Sequence, residues 1–187
     1  MAKKNLGSAG ELFPQSVFIV ASYGEDGTPN AMNVAWAGEC SRHEVCVNIG
    51  DHKTTENIIA RGAFTVAPAD AAHVAEADYF GIATGRKTNK AEASGLTFAK
   101  SEFVDAPVIE EFPLTMECKV TSIAGDEHGA RIVGEVVNTR VDESVLDDEG
   151  RVDFARMRPI VYDSTRRIYR VVGKEVGGAW DAGKALM

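Results

Sequence analysis

Three cysteines in 187 residues, Cys40, Cys46 and Cys118, are too few and odd in number for a disulfide framework, and none belongs to a Cys-x-x-Cys pair. Reduced thiols are the expectation. Cys40, His43 and Cys46 are evenly spaced and Cys118 offers a fourth ligand, but closed zinc sites favour paired short spacings, so no metal is expected. Long apolar runs are missing too. No stretch approaches the roughly 20 residues that span a bilayer, and Lys3-Lys4 lead into no apolar segment of the kind a secretory signal carries. Positive charge is in deficit: Lys plus Arg total 20 against 28 Asp plus Glu, and a net charge of −8 argues against general attraction to nucleic acid or anionic lipid. The expectation is a cytoplasmic protein with no nucleic acid and no membrane partner, whose bound anions must be held by local groups. Repeats, low-complexity tracts and compositional shifts are absent, so residues 1–187 read as one domain.

What is present is a series of short apolar segments separated by turn residues. Ser16–Tyr23 is an apolar run ending in Gly24-Glu25-Asp26-Gly27-Thr28-Pro29, which predicts a strand, a hairpin turn and a second strand from Asn30 to Gly38. In that second strand Met32, Val34 and Trp36 share one face, while Asn33 shares the other with Ala31, Ala35 and Ala37. A face of alanines and one asparagine leaves room for something flat against the backbone. Val45, Val47 and Ile49 alternate with Cys46, Asn48 and Gly50 in a third strand, and Ala63–Ala67 forms a fourth, closed by Pro68. Between them Thr54 or Thr55 is a good helix N-cap and Gly62 a natural stop. A second helix is expected from Asp70 to Phe80, ending near Gly81, followed by a basic loop over residues 84–90. Residues 114–121 alternate cleanly, residues 131–139 partner them in the longest hairpin, and residues 167–172 make a late strand; the acidic residues 142–153 between them read as a solvated connection. Six or seven strands with hairpin connections and few helices predict a mainly β fold: an antiparallel barrel with short helices at its openings.

Two strands run into Asp51-His52-Lys53-Thr54-Thr55, a helix start that carries a lysine and two threonines. The first N–H groups of a helix have no internal acceptor and point outward with the positive end of its dipole, so this corner suits an anion such as phosphate. The competing reading is an ordinary capped surface helix. Thr84-Gly85-Arg86-Lys87-Thr88 lacks the glycine before the lysine and the leading apolar strand of a nucleoside-triphosphate loop, and that motif is rejected. His52 beside the corner reads as incidental, and Tyr162, Tyr169 and Trp180 as core or interface aromatics. No Ser-His-Asp order or close carboxylate pair marks a hydrolase.

With these elements in order, the chain resembles the flavin reductase-like, FMN-binding split-barrel family, and within it the flavoredoxin group. The segments that carry the resemblance are residues 30–38, 53–58, 84–90, 106–109 and 158–162. It implies an antiparallel, Greek-key split β-barrel with short peripheral helices, FMN as cofactor and a homodimer. By the same resemblance Lys53, Thr54 and Thr55 meet the FMN phosphate, and Thr84, Gly85 and Lys90 complete that end. Met32, Asn33, Val34 and Ala35 then line the ring mainly through their backbone, and Asn48, Ile49 and Gly50 lie near the ribityl chain. Lys53 stands where many relatives have arginine, supplying charge without two-pronged hydrogen bonding. The implied activity is that of an FMN oxidoreductase taking electrons from NADH, NADPH or a redox partner and passing them to a small-molecule or protein acceptor. A non-turning-over electron carrier is the alternative, and a pyridoxamine-phosphate-oxidase-like enzyme is a more distant one, because its basic substrate-binding set is not evident.

Overall fold

The computed structural model describes residues 1–10 and 12–187. After a short strand β1 (Gln15–Ser16), β2 (Phe18–Tyr23) turns back into β3 (Pro29–Val34). The turn closes on Gly24 N–H donating to the Thr28 carbonyl at 2.9 Å, with Gly27 in the left-handed region at φ 81°. The single strand expected over residues 30–38 is broken. Ala35 and Trp36 form a bend, and the chain resumes as β4 (Ala37–Glu39), which pairs with β5 (Glu44–Gly50) rather than with β2. Met32 and Val34 face the barrel interior as expected, but the bend turns Trp36 outward, 59% exposed. That corrects the shared face assigned to the three.

Helix α1 (Lys53–Arg61) and strand β6 (Ala63–Pro68) follow, then α2 (Val74–Ile82) and α3 (Lys90–Ser94), then β7 (Phe98–Lys100) and β8 (Pro107–Ile109). The long hairpin is β9 (Leu114–Asp126) with β10 (Gly129–Val141), and the chain ends through α4 (Phe154–Met157), β11 (Ile160–Asp163) and β12 (Ile168–Val171). The main sheet has the order β3-β2-β6-β9-β10-β5-β4 with every neighbour antiparallel. Its two outermost strands are thus consecutive in the chain. The sheet curls until its ends meet at the Ala35-Trp36 bend, which is the mainly β, split-barrel architecture expected.

Two register shifts in the β9–β10 ladder, at Val133/Gly134 and Val136/Asn138, supply the local twist that such curling needs. The barrel interior is filled from all sides, with Val20, Val47, Ile58, Phe64, Val66 and Ile132 fully buried. β2 is buried on both faces, because Ile19 and Ala21 pack outward under α2 with Phe80, Ile109 and Ile160; this is why it reads as a continuous apolar run. The late strand expected at 167–172 is β12, and it lies outside the barrel in a three-stranded sheet, β1-β11-β12. The acidic stretch is a solvated connection whose carboxylates cap local turns: Asp142 accepts from Ser144 N–H, and Asp153 from those of Ala155 and Arg156. Among the described residues no helix is long and apolar enough to cross a membrane.

Both helix starts differ from expectation. α1 begins after His52, and neither threonine caps it. α2 begins after His73, while Asp70 holds the preceding turn by accepting from Ala72 N–H at 2.8 Å and His73 N–H at 3.0 Å. Gly81 lies inside α2 rather than after it and packs closely on β3, where a Cβ would sit 3.4 Å from Asn33 Cβ.

Gly134 faces the barrel interior with no room for a side chain: a Cβ there would lie 2.6 Å from the Phe64 ring and 3.0 Å from Cys118 Cβ. Gly134→Ala is expected to lower stability by about 1–3 kcal/mol through overpacking, read as a lower urea midpoint at unchanged slope.

Candidate functional site

The start of α1 is fastened to three strands at once. Asn57 Nδ2 donates to Ser22 Oγ on β2 at 3.2 Å, Asn30 Nδ2 on β3 donates to Thr54 Oγ1 at 2.7 Å, and Thr55 Oγ1 donates to the Gly50 carbonyl on β5 at 2.6 Å. Both threonine hydroxyls therefore join the helix to the barrel instead of capping it. The Thr55 and Glu56 amides fold back on the His52 carbonyl, whereas those of Lys53 and Thr54, at the very start, have no acceptor within the helix.

In front of this start lies a cleft of about 210 Å³ between α1, β3 and the α2–α3 loop. It gathers seven of the expected residues: Met32, Asn33, Lys53, Thr54, Thr84, Gly85 and Lys90. An adjoining cleft of about 260 Å³ shares Asn30, Lys53 and Gly85 with it and continues toward Asp26, Arg86 and Lys87. Gly85 is required by contact, since a Cβ there would fall 2.2 Å from Asn30 Oδ1. Asn30 is 7% exposed and lines both clefts; its Oδ1 is buried against Gly85 and has no hydrogen-bond partner among the described residues. Such an atom carries an uncompensated desolvation cost until a donor reaches it.

The remaining expected residues lie around the cleft without lining it. Val34 and Ile49 are in the barrel core, Ala35 is in the bend, and Thr55 is behind the helix start. Asn48 is exposed, its Nδ2 donating to the Trp36 carbonyl at 3.4 Å, and Gly50 sits against the His52 ring.

The sequence matches the flavin reductase like domain over residues 10–170. The chain belongs to this family. Among solved structures it is similar to the flavoredoxin of Desulfovibrio vulgaris (Miyazaki F), at 35% identity and a TM-score of 0.92 over 97% of this chain and 100% of that one. It is also similar to the flavoredoxin of Methanosarcina acetivorans, at 26% identity and a TM-score of 0.90 over the whole of both chains. Nitrilotriacetate monooxygenase component B of Bacillus cereus shares the fold at 21% identity, with a TM-score of 0.81 over 95% of this chain and 98% of that one.

In this flavin reductase-like chain the electrostatics of the cleft are set by one buried cation and a surface network. Lys90, 4% exposed, donates from Nζ to the Ala31 and Phe80 carbonyls at 2.9 Å each, and desolvation lowers its pKa to about 8. Lys53 Nζ lies 3.3 Å from Glu56 Oε2. Arg86 pairs with Asp51 and with Glu56 Oε1, and its guanidinium holds both carboxyls below their usual range. His52 is surface-exposed yet rests on the protein on one side; this desolvation, with Lys90 and Arg86 nearby, lowers its pKa, against the opposing pull of Asp51. At the other end of the cleft Asn33 Nδ2 donates to the Ala77 carbonyl at 3.0 Å, and Tyr169 OH donates to Asp78 Oδ1 at 2.8 Å, tying β12 to α2.

Sequence reasoning missed Asn30 and Arg86. Asn30 had a signal: an amide flanked by apolar residues at the start of a buried strand. Arg86 had none beyond its place in a basic loop, because its partners lie 30 and 35 residues away.

Burial of Lys90 makes a pH prediction with a definite sign. Between pH 8 and 10.5 the folded state gives up the Lys90 proton while the unfolded chain keeps it, so stability rises with pH in that window. The stability of the wild type relative to Lys90→Met is expected to be flat below pH 8 and to rise from there to about 10.5, measured by urea denaturation across the series.

Proposed function

We propose that this protein binds FMN in the cleft at the start of α1 and uses it as an oxidoreductase of the flavin reductase and flavoredoxin type. The observation that carries the reading is the pairing of opposite needs in one place. Lys53, the first α1 amides and the Thr54 hydroxyl, which accepts from Asn30 and keeps its own proton to donate, all seek an anionic acceptor. The Asn30 Oδ1 seeks a donor. A ligand carrying hydroxyl donors next to a phosphate, such as the ribityl phosphate of FMN, answers both; a bare anion leaves Asn30 unsatisfied.

Lys53, Thr54 and Thr55 are assigned to the phosphate end, with Thr84 and Gly85 as its wall and Lys90 as a buried positive charge beneath it. Thr55 acts by holding the helix start to Gly50. Met32, Asn33, Val34 and Ala35 are assigned to the ring, and Asn48, Ile49 and Gly50 to the ribityl chain, through backbone rather than side chains. The cleft is smaller than the roughly 300 Å³ at which pockets for whole small molecules begin, so the ring extends past it toward the bend. Ile82 at the rim is 78% exposed, and with the outward Trp36 it leaves an apolar border that a second copy of the chain would cover. A homodimer is part of the proposal.

FMN, when bound, supplies the redox chemistry itself. The protein's share is to anchor the phosphate, orient the ring along β3 and keep a positive charge beside it. NADH or NADPH is the proposed electron source, and a small molecule or protein the acceptor. An electron carrier without turnover is the second reading, favoured by the scarcity of acid–base groups in the cleft, where His52 is the one histidine among the lining residues.

Two measurements test this. Anaerobic titration of FMN-loaded protein with NADH and NADPH is expected to bleach the flavin band; a yellow protein inert to both leaves the carrier reading, and failure to take up FMN removes both. Lys53→Ala is expected to weaken FMN binding by about 1.5–3 kcal/mol, the range for a hydrogen bond to a charged group, read by fluorescence titration.

A further inference from the structure

Glu56 stands between two cations. Its Oε1 takes Arg86 Nε at 3.1 Å and Nη2 at 2.6 Å, while its Oε2 takes Lys53 Nζ at 3.3 Å. Arg86 reaches Asp51 with the same Nη2, so one guanidinium serves both carboxylates that flank the start of α1. The two contacts of Glu56 are unequal. A planar fork held at two nitrogens keeps its geometry, whereas a single ammonium on a flexible stem exchanges partners easily. An anion at the helix start competes with Glu56 for Lys53 and for nothing else on that carboxylate.

We propose that Arg86 is a positioning residue: it retains Glu56 and Asp51 so that Lys53 can turn from Glu56 to the phosphate of the bound flavin. This rests on the reading of the cleft given above, which Asn30 Oδ1, a buried acceptor without a partner among the described residues, supports independently. Without Arg86, transfer of Lys53 leaves Glu56 with no cation beside a dianionic phosphate and Asp51 with His128 Nδ1 at 3.9 Å, and like charges at that range oppose binding. Arg86 also anchors the loop. Gly85 lies directly against Asn30, and Lys87 and Thr88 N–H close a turn on the Thr84 carbonyl, so the guanidinium and Gly85 pin adjacent points of one short wall. The protein thereby reserves Lys53 for the ligand and uses the more rigid cation for its own acids.

The test compares FMN with riboflavin, which lacks the phosphate, by fluorescence titration at low salt. Arg86→Ala is expected to weaken FMN on the order of tenfold and to leave riboflavin affinity unchanged. Adding Glu56→Gln to Arg86→Ala is expected to recover most of the loss, and Arg86→Lys to fall between. Lys53→Ala is expected to cost less in the Arg86→Ala background than in the wild type, because Lys53 is there held by Glu56. Equal loss of FMN and riboflavin, no recovery with Glu56→Gln, or strict additivity of Lys53→Ala and Arg86→Ala each overturns the role of Arg86 while leaving the cleft reading intact. Wild-type protein that takes up no FMN overturns the cleft reading and the inference with it.

Discussion

The bend at Ala35-Trp36 is the constraint on which the rest of the molecule depends. Without it residues 30–39 would continue as one edge strand of an open sheet, and both faces of that sheet would need separate cover. With it the same stretch supplies the first and last strands of a seven-stranded sheet, so the edges meet and the apolar faces of Val20, Val47, Phe64 and Ile132 enclose one another. Closure also limits the edge exposure that open sheets must guard against. The register shifts at Thr121 of β9 and Val137 of β10 and the absence of a side chain at Gly134 are the local conditions that let the wall curve tightly enough around Phe64.

Closure decides where α1 begins. β5 ends beside β3 once the sheet has curled, and the helix that follows is caught by hydrogen bonds from β2, β3 and β5. A helix start this firmly seated has little freedom to rearrange, so its outward amides and Lys53 are presented in a fixed direction, which is the condition for anion recognition without a large ordering cost. Across the cleft, Lys90 fastens α3 to the Ala31 and Phe80 carbonyls. The loop between α2 and α3 thus spans a short gap between two rigid anchors.

Membership of the flavin reductase like family fixes the fold class and the flavin context. The chemistry of the cleft carries the narrower proposal of FMN: donors for a phosphate lie next to an acceptor for a hydroxyl. The network around Arg86 sets two cations of similar charge and different rigidity on one carboxylate, which is the basis of the proposed division between structure and ligand.

Much of this was legible in the residues. Period-two alternation at 45–50 and 114–121 marked strands because each has one face in the barrel, and Gly24 through Pro29 marked the first turn. Lys53, Thr54 and the 84–90 loop were singled out as a candidate site because a lysine at a helix start suits an anion, and the family resemblance favoured that reading over an ordinary capped helix. What sequence could not settle were matters of partner rather than propensity. Nothing in Ala35-Trp36 announces a bend, since alanine and tryptophan are ordinary strand residues; only the need to close the sheet puts one there. Thr54 and Thr55 have the composition of caps, and it took β3 and β5 alongside to turn their hydroxyls to Asn30 and Gly50. Glu56 and Arg86 are unremarkable polar residues along the chain, and Asn30 carries only the signal of an amide among apolar neighbours. Local residue chemistry determined which segments are strands and which helix start is suited to an anion; long-range contact decided which polar groups are satisfied within the fold and which, like Asn30 Oδ1, have no partner among the described residues.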